Sequence, residues 1–190
     1  QATCDEILEA AWRLARVHGL GGISLRDLGA QVGLRAQSLY SYFPSKQAIY
    51  DAMFRQGYEQ FIAEAAIDTP PGNGKGNGDV RAEALAGVLS FFDFCTADQA
   101  RYQLLFQRVV PDFEPSPASM AVAVDAYART VGRLAVVVAA DQADLDLWTA
   151  VVTGLVDQQW SNDPGGTRWR DLVARAVDML LDEQQRRRPR

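Results

Sequence analysis

The sequence predicts an all-α fold of about nine helices, a three-helix head followed by a larger helical bundle, and three observations predict it. Apolar residues recur at helical spacing almost everywhere and alternate in strand fashion almost nowhere. Ser, Thr and Asp stand where helix starts need caps, and Gly or Pro clusters stand where helices must stop. Towards the carboxyl end, apolar residues repeat at alternating spacings of three and four, which suits nearly antiparallel helix packing.

Thr3-Cys4-Asp5-Glu6 has the form of a capping box, and Ile7, Ala11, Leu14 and Ala15 then line one face of a first helix. His18 closes it at the end where the helix dipole favours a cation, and Gly19, Gly21 and Gly22 end the run. Ser24 caps a short second helix carrying Leu25, Leu28 and Val32, with Asp27 three residues after the cap, and Gly33 breaks it. A third short helix is expected from about Arg35 to Tyr42. Pro44-Ser45 interrupts, Ser45 caps, and Ile49, Met53, Phe54, Phe61 and Ile62 mark a long fourth helix.

Asp68 to Asp79, rich in Gly and Pro, reads as a mobile loop. Helices follow around Val80 to Thr96 and Asp98 to Val109, then a Pro-interrupted turn from Pro111 to Pro117. Met120, Val124, Tyr127, Val131, Leu134 and Val138 predict the buried stripe of a long helix. Two final helices are expected, about Asp144 to Ser161 and Gly165 to Asp182. Their seams are Leu145, Trp148, Val152, Leu155 and Gln159, then Trp169, Leu172, Ala176 and Leu180. Asp141, Asp144 and Asp146 resemble the opening of a calcium loop, but no Gly or distal Glu completes it, and an Asp-rich helix start is the plainer reading.

With 190 residues, 48% hydrophobic and 23% charged, the chain can bury a sizeable core. Its longest apolar stretch, Leu134 to Ala140, is too short for a membrane span, and no secretory pattern opens the sequence, so a cytoplasmic location is expected. Cys4 and Cys95 are expected as free thiols, and neither metal ligation nor a catalytic nucleophile motif is supported. No cofactor is expected. The net charge of -5 hides an asymmetry. Ala11 to Tyr50 contains Arg13, Arg16, Arg26, Arg35 and Lys46 against Asp27 alone, whereas residues 61–185 hold nine basic and eighteen acidic groups. A basic module ahead of an acidic one points to a nucleic-acid contact near the amino end. Arg186 to Arg188 and Arg190 read as a solvated tail.

Ser24 to Phe43 carries the sharpest signal. A helix-turn-helix needs a small residue where the second helix crosses the first, a Gly in the turn four residues later, and apolar glue. Gly29 and Gly33 fill the first two roles, and Leu28, Val32, Leu34, Leu39 and Tyr42 the third. The second helix then presents Arg35, Ala36, Gln37, Ser38 and Ser41 to a major groove.

These residues resemble the tetracycline-repressor (TetR) family of bacterial transcriptional regulators. The resemblance is carried by Ile7 to Ala11, Gly19 to Ser24, Leu28 to Gly33 and Ser38 to Lys46, and spans about the first 55 residues. It implies a helix-turn-helix DNA-binding domain over 1–46 and a domain over 47–190 that binds a small effector and dimerises. It further implies a homodimeric repressor on a palindromic operator of double-stranded DNA, released by a small apolar or aromatic effector, with the fourth helix as lever. Carried over by position, Ser24 contacts a phosphate and Arg26 a guanine or phosphate. Ala36, Gln37 and Ser38 touch bases, Tyr40 and Tyr42 meet the backbone, and Lys46 grips a phosphate. Members often have Ser or Thr in place of Arg35, Gly in place of Gln37 and Ala in place of Gly29.

The aromatics Phe92, Tyr102, Phe106, Tyr127 and Trp148 are the candidates for an effector pocket, and the seams of the last two helices, Leu145, Val152, Leu155, Gln159, Trp169, Leu172, Ala176 and Leu180, for the dimer interface. Two other readings stand open from sequence: a helix-turn-helix activator or ligand-independent factor, and a helical enzyme, which lacks a nucleophile and acid–base constellation.

Overall fold

The computed structural model describes residues 3–64, 77–138 and 141–187. Nine α-helices and no strand occur among them: α1 (Cys4–His18), α2 (Leu25–Gln31), α3 (Ala36–Leu39), α4 (Lys46–Glu64), α5 (Asn77–Ala97), α6 (Gln99–Phe106), α7 (Pro117–Val138), α8 (Gln142–Asn162) and α9 (Val173–Arg187). Most of the loop expected over 68–79 lies outside the described residues, as does the end of the basic tail. No helix among the described residues is long and apolar enough to cross a membrane. The helices gather into two compact units, Gln1–Gln60 with Asp98–Asp125, and Phe61–Ala97 with Ala126–Arg190.

In the first unit, α1 starts as its sequence demands. The Thr3 hydroxyl accepts from the Glu6 N–H, while the Glu6 carboxylate accepts from the Thr3 N–H at 2.6 Å. The expected face is buried: Ile7, Ala11, Leu14 and Ala15, joined by Leu8, Ala10 and Trp12. The Trp12 indole donates to Gln56 on α4 at 2.8 Å. On α4, Ile49, Met53 and Phe54 are buried as expected, with Tyr50 and Tyr58 beside them. The Tyr50 hydroxyl donates to the Leu20 carbonyl and the Tyr58 hydroxyl to the Leu105 carbonyl, so each buried phenol has a partner.

Only the far end of the stripe expected on α7 lies inside, with Val138 buried and Val131 and Leu134 half-buried. Met120, Val124 and Tyr127 face outwards, and Ser119, Ala123 and Ala126 are buried instead. Polar bonds set this rotation. Ser116 precedes Pro117, and the Asp51 carboxylate on α4 accepts from the Ser116 N–H at 2.6 Å and from the Ser116 and Ser119 hydroxyls, both at 2.9 Å. An N-cap followed by Pro in the first helical position is a helix start that needs no further signal.

In the second unit α5, α8 and α9 pack on one another. α8 opens with a capping box between Asp141 and Asp144, bearing out the Asp-rich helix start. The helix after it begins later and runs further than expected, from Val173 to Arg187. Gln159 explains the delay: its amide N–H donates to the Asp163 and Gly166 carbonyls, and its carbonyl accepts from the Trp169 N–H at 3.1 Å, which extends the turn. At the far end Arg187 donates to Asp144 at 2.8 Å, so Arg186 and Arg187 belong to a helix and not to a tail. Arg170 clasps Asp93 of α5 through two N–H donors, and that carboxylate lifts the guanidinium above its ordinary pKa.

Two expectations about side chains change with these facts. Tyr127, a pocket candidate, is 51% exposed, whereas Phe92, Tyr102 and Trp148 are buried and Phe106 half-buried. Tyr102 and Phe106 belong to the first unit and Phe92, Tyr127 and Trp148 to the second. Among the interface candidates, Leu145, Val152, Gln159 and Leu180 lie in the chain's own interior. Leu155, Trp169 and Ala176 are half-buried, and Leu172 is exposed.

Candidate nucleic-acid interface

The interface begins at a helix start. Ser24 has extended backbone and its hydroxyl accepts from the Asp27 N–H at 3.1 Å, capping α2. The same hydroxyl donates to the Asp27 carboxylate at 2.5 Å. A phosphate approaching here meets free helix N–H groups but also a carboxylate already holding the hydroxyl. Sequence spacing identified the cap; that the cap is held by an anion only the geometry shows.

Between α2 and α3 the chain turns at Gly33, whose φ of +69° lies in the left-handed region that favours Gly. The Leu34 N–H then donates to the Gly29 carbonyl at 2.8 Å. A Cβ on Gly29 would lie 2.6 Å from the Leu34 carbonyl oxygen. Gly29 is therefore required by the close crossing of the two helices, and the departure from Ala at this position has a steric cause.

α3 is a single turn, Ala36–Leu39, continued by hydrogen-bonded turns through Phe43. Leu39 is buried and anchors it against the head, while Arg35, Gln37, Ser38, Tyr40 and Ser41 are exposed and Ala36 and Tyr42 half-buried. This face projects as the sequence predicts. Arg26, Arg35 and Gln37 have no side-chain hydrogen-bond or ion-pair partner among the described residues, and Tyr40 is 53% exposed. Ser41 is different: its hydroxyl donates to the Ser38 carbonyl at 2.6 Å, so it can only accept from a further group.

Lys46 stands at the start of α4, where Ser45 caps through the Ala48 N–H. Its ammonium turns back to the Gly21 carbonyl at 3.4 Å and sits 5.4 Å above the Tyr50 ring. Lys46 thus ties α4 to the turn after α1, an arrangement spacing did not reveal because Gly21 is remote in sequence. The surface as a whole can pair exposed cations with phosphates and offer an amide to base edges.

Comparison with known proteins agrees with this geometry. Residues 7–53 match the family described as bacterial regulatory proteins, tetR family. Over 84 residues the chain is 32% identical to the HTH-type transcriptional repressor DrrR1 of Streptomyces coeruleorubidus, a match covering 44% of this chain and 29% of that repressor. Among solved structures, the chain is similar to the TetR family transcriptional regulator PfmR from Thermus thermophilus, with 16% identity, a TM-score of 0.67, and 93% of this chain and 97% of that one covered. It is also similar to the fatty acid degradation regulator FadR from Bacillus halodurans, at 15% identity and a TM-score of 0.70 over 95% of each chain. At such identities the structural likeness concerns the fold.

Proposed function

We propose, from the match of residues 7–53 to the tetR family of bacterial regulatory proteins, that this chain is a cytoplasmic transcriptional repressor acting as a homodimer on a palindromic DNA operator. It acts by binding, with no turnover and no cofactor. The observation that carries the reading is the α2–α3 pair: a clasp at Gly29 and Leu34 joins the two helices, and Arg26 on α2 and Arg35 and Gln37 at α3 stand exposed without partners among the described residues. Exposed, unpaired cations and an amide on a clasped helix pair are what phosphate positioning and base readout require.

In this reading Gln37, with Ala36 and Ser38, reads base edges. Arg26, Arg35 and Lys46 pair with phosphates, Ser24, Ser41, Tyr40 and Tyr42 complete the backbone contacts, and a dimer sets two such faces about 34–36 Å apart. In this reading the DNA-binding head spans residues 1–46, and α4, which starts at Lys46, continues from it as the lever. The second copy packs on the outward face of α8, where Ala143, Leu147, Ala150 and Gly154 form a stripe of mostly small residues, and on Leu172 and Met179 of the carboxyl-terminal segment. Small residues permit close helix approach, and Leu147 and Met179, 44% and 62% exposed, supply apolar area. A small effector releases the operator only to the extent that it prefers the state unfit for binding. Phe92 and Trp148, both buried in the second unit, remain the aromatic candidates to line its site.

Selection of bound sequences from random duplex DNA, with the purified chain at low salt, tests the reading. Enrichment of an inverted repeat is expected. Retention of no duplex would overturn it.

A further inference from the structure

The seam between α8 and α9 can be followed row by row. Arg187 and Asp144 close its open end, and Gln159 with Trp169 closes the turn end, so the two helices run antiparallel. Counting inwards from Asp144 and Arg187 by helical turns places Trp148 beside Gln184, Val152 beside Leu180, and Val156 beside Val177. All six are buried. The inner two rows are apolar. The Trp148–Gln184 row is not, and it is the one whose polar atoms have no partners: the Trp148 indole nitrogen and both the nitrogen and oxygen of the Gln184 carboxamide are buried without a hydrogen bond. Trp148 is 2% exposed and Gln184 7%.

The chemistry of the row is unbalanced. One indole N–H and two carboxamide hydrogens face a single carbonyl oxygen, so even a bond between the two side chains would leave donors unanswered. The neighbouring row of Val152 and Leu180 offers nothing, and the cation one turn further out, Arg187, is engaged by Asp144. We infer that the Trp148–Gln184 row is a binding site for a small neutral carbonyl compound, a ketone, ester or amide. Its carbonyl oxygen accepts from the indole and carboxamide N–H groups, and its apolar part lies towards Val152 and Leu180. A charged carboxylate is disfavoured here because burying it in this row would leave it without a cation of its own. The site lies one helical turn inside the Asp144–Arg187 closure, which places that ion pair at its mouth.

This inference deepens the effector part of the function proposed above and rests on it only for the consequence at DNA. Binding is therefore measured without DNA, so a failure here and a failure of the operator reading remain distinct. The experiment follows indole N–H resonances of the full ¹⁵N-labelled chain, with Trp148→Phe assigning the relevant signal, during titration with 2-pyrrolidinone. A saturable shift of the Trp148 signal at roughly millimolar concentration is expected, a ceiling set by so few ligand atoms. Gln184→Leu should weaken it by about tenfold, the loss of one well-made bond. Tetrahydrofuran, which has the ring without the carbonyl, should leave the signal in place.

Because an unpartnered amide gains nothing from burial, Gln184→Leu should melt at or above the temperature of the parent chain. A clear fall would overturn the unpaired state itself. A signal that ignores 2-pyrrolidinone, moves equally with tetrahydrofuran or moves unchanged in Gln184→Leu overturns the site. So does an indole that exchanges magnetisation with a long-lived water and does not respond to the probe.

Discussion

Asp98 holds Arg16 with one carboxylate oxygen and caps α6 with the other. The Arg16 guanidinium on α1 donates to Oδ2 at 2.8 Å, and Oδ1 accepts from the Arg101 N–H at 3.1 Å. One residue thereby joins the first helix of the head to the start of α6. Asp98→Ala should lower stability by about 1–2 kcal/mol, most of it from the lost cap. Asp98→Ser, which can still cap, should cost less than about 1 kcal/mol, because Arg16 is half-exposed and screened. Denaturant midpoints of the two variants check the order; equal losses would refute the division of labour.

Gly29→Ala sets two effects against each other. Helix propensity favours Ala by about 1 kcal/mol. The added Cβ would meet the Leu34 carbonyl oxygen at 2.6 Å, an overlap with backbone that no rotamer relieves. Crowding of this kind costs about 1–3 kcal/mol, so the variant should be less stable and should lose specific DNA binding before general DNA binding. A rise in melting temperature would show that the helix crossing is softer than its geometry.

Gln37 and Lys46 should separate sequence readout from electrostatic grip. Gln37→Ala should change which duplexes are selected. Lys46→Ala should weaken every duplex alike and reduce the salt slope by about one. It should also destabilise the head slightly, since the ammonium bridges to Gly21 and Tyr50. Uniform losses for Gln37→Ala across all sequences would end its assignment as a base reader.

Asp27 restrains its neighbour. The carboxylate holds the Ser24 hydroxyl at 2.5 Å beside the α2 N-terminus. Asp27→Asn removes a negative charge from the phosphate's path and should tighten binding to all duplexes several-fold, at a stability cost of about 0.5 kcal/mol from the helix dipole. Ser24→Ala should instead lose about 1 kcal/mol of cap and weaken binding. Fluorescence anisotropy at fixed salt distinguishes them, and weaker binding by Asp27→Asn would exclude the phosphate approach described here.

A charge on the outward face of α8 should divide the dimer. Ala150→Glu places a carboxylate in the stripe shared with Leu147 and Gly154, away from the buried Trp148 and Val152. Sedimentation should show a folded monomer that binds DNA weakly. A dimer of unchanged affinity would move the interface elsewhere.

Local rules determined much of this protein in advance. Caps at Thr3, Ser24, Ser45 and Asp141, breaks at Gly33 and Pro44, and helical periodicity sufficed for the all-α class, the helix order and the exposed face of α3, because each depends on neighbours within a turn. What periodicity could not supply is which of two plausible faces is buried. On α7 the apolar stripe of Met120, Val124 and Tyr127 looked like the core, yet Asp51, far away in sequence, turns the Ser116 and Ser119 side inwards. On α8 and α9 the residues expected to meet a second copy are instead largely buried or half-buried in the chain itself. Only tertiary structure decides such cases, since a helix has no inside until a partner's hydrogen bonds and apolar surface are set against it.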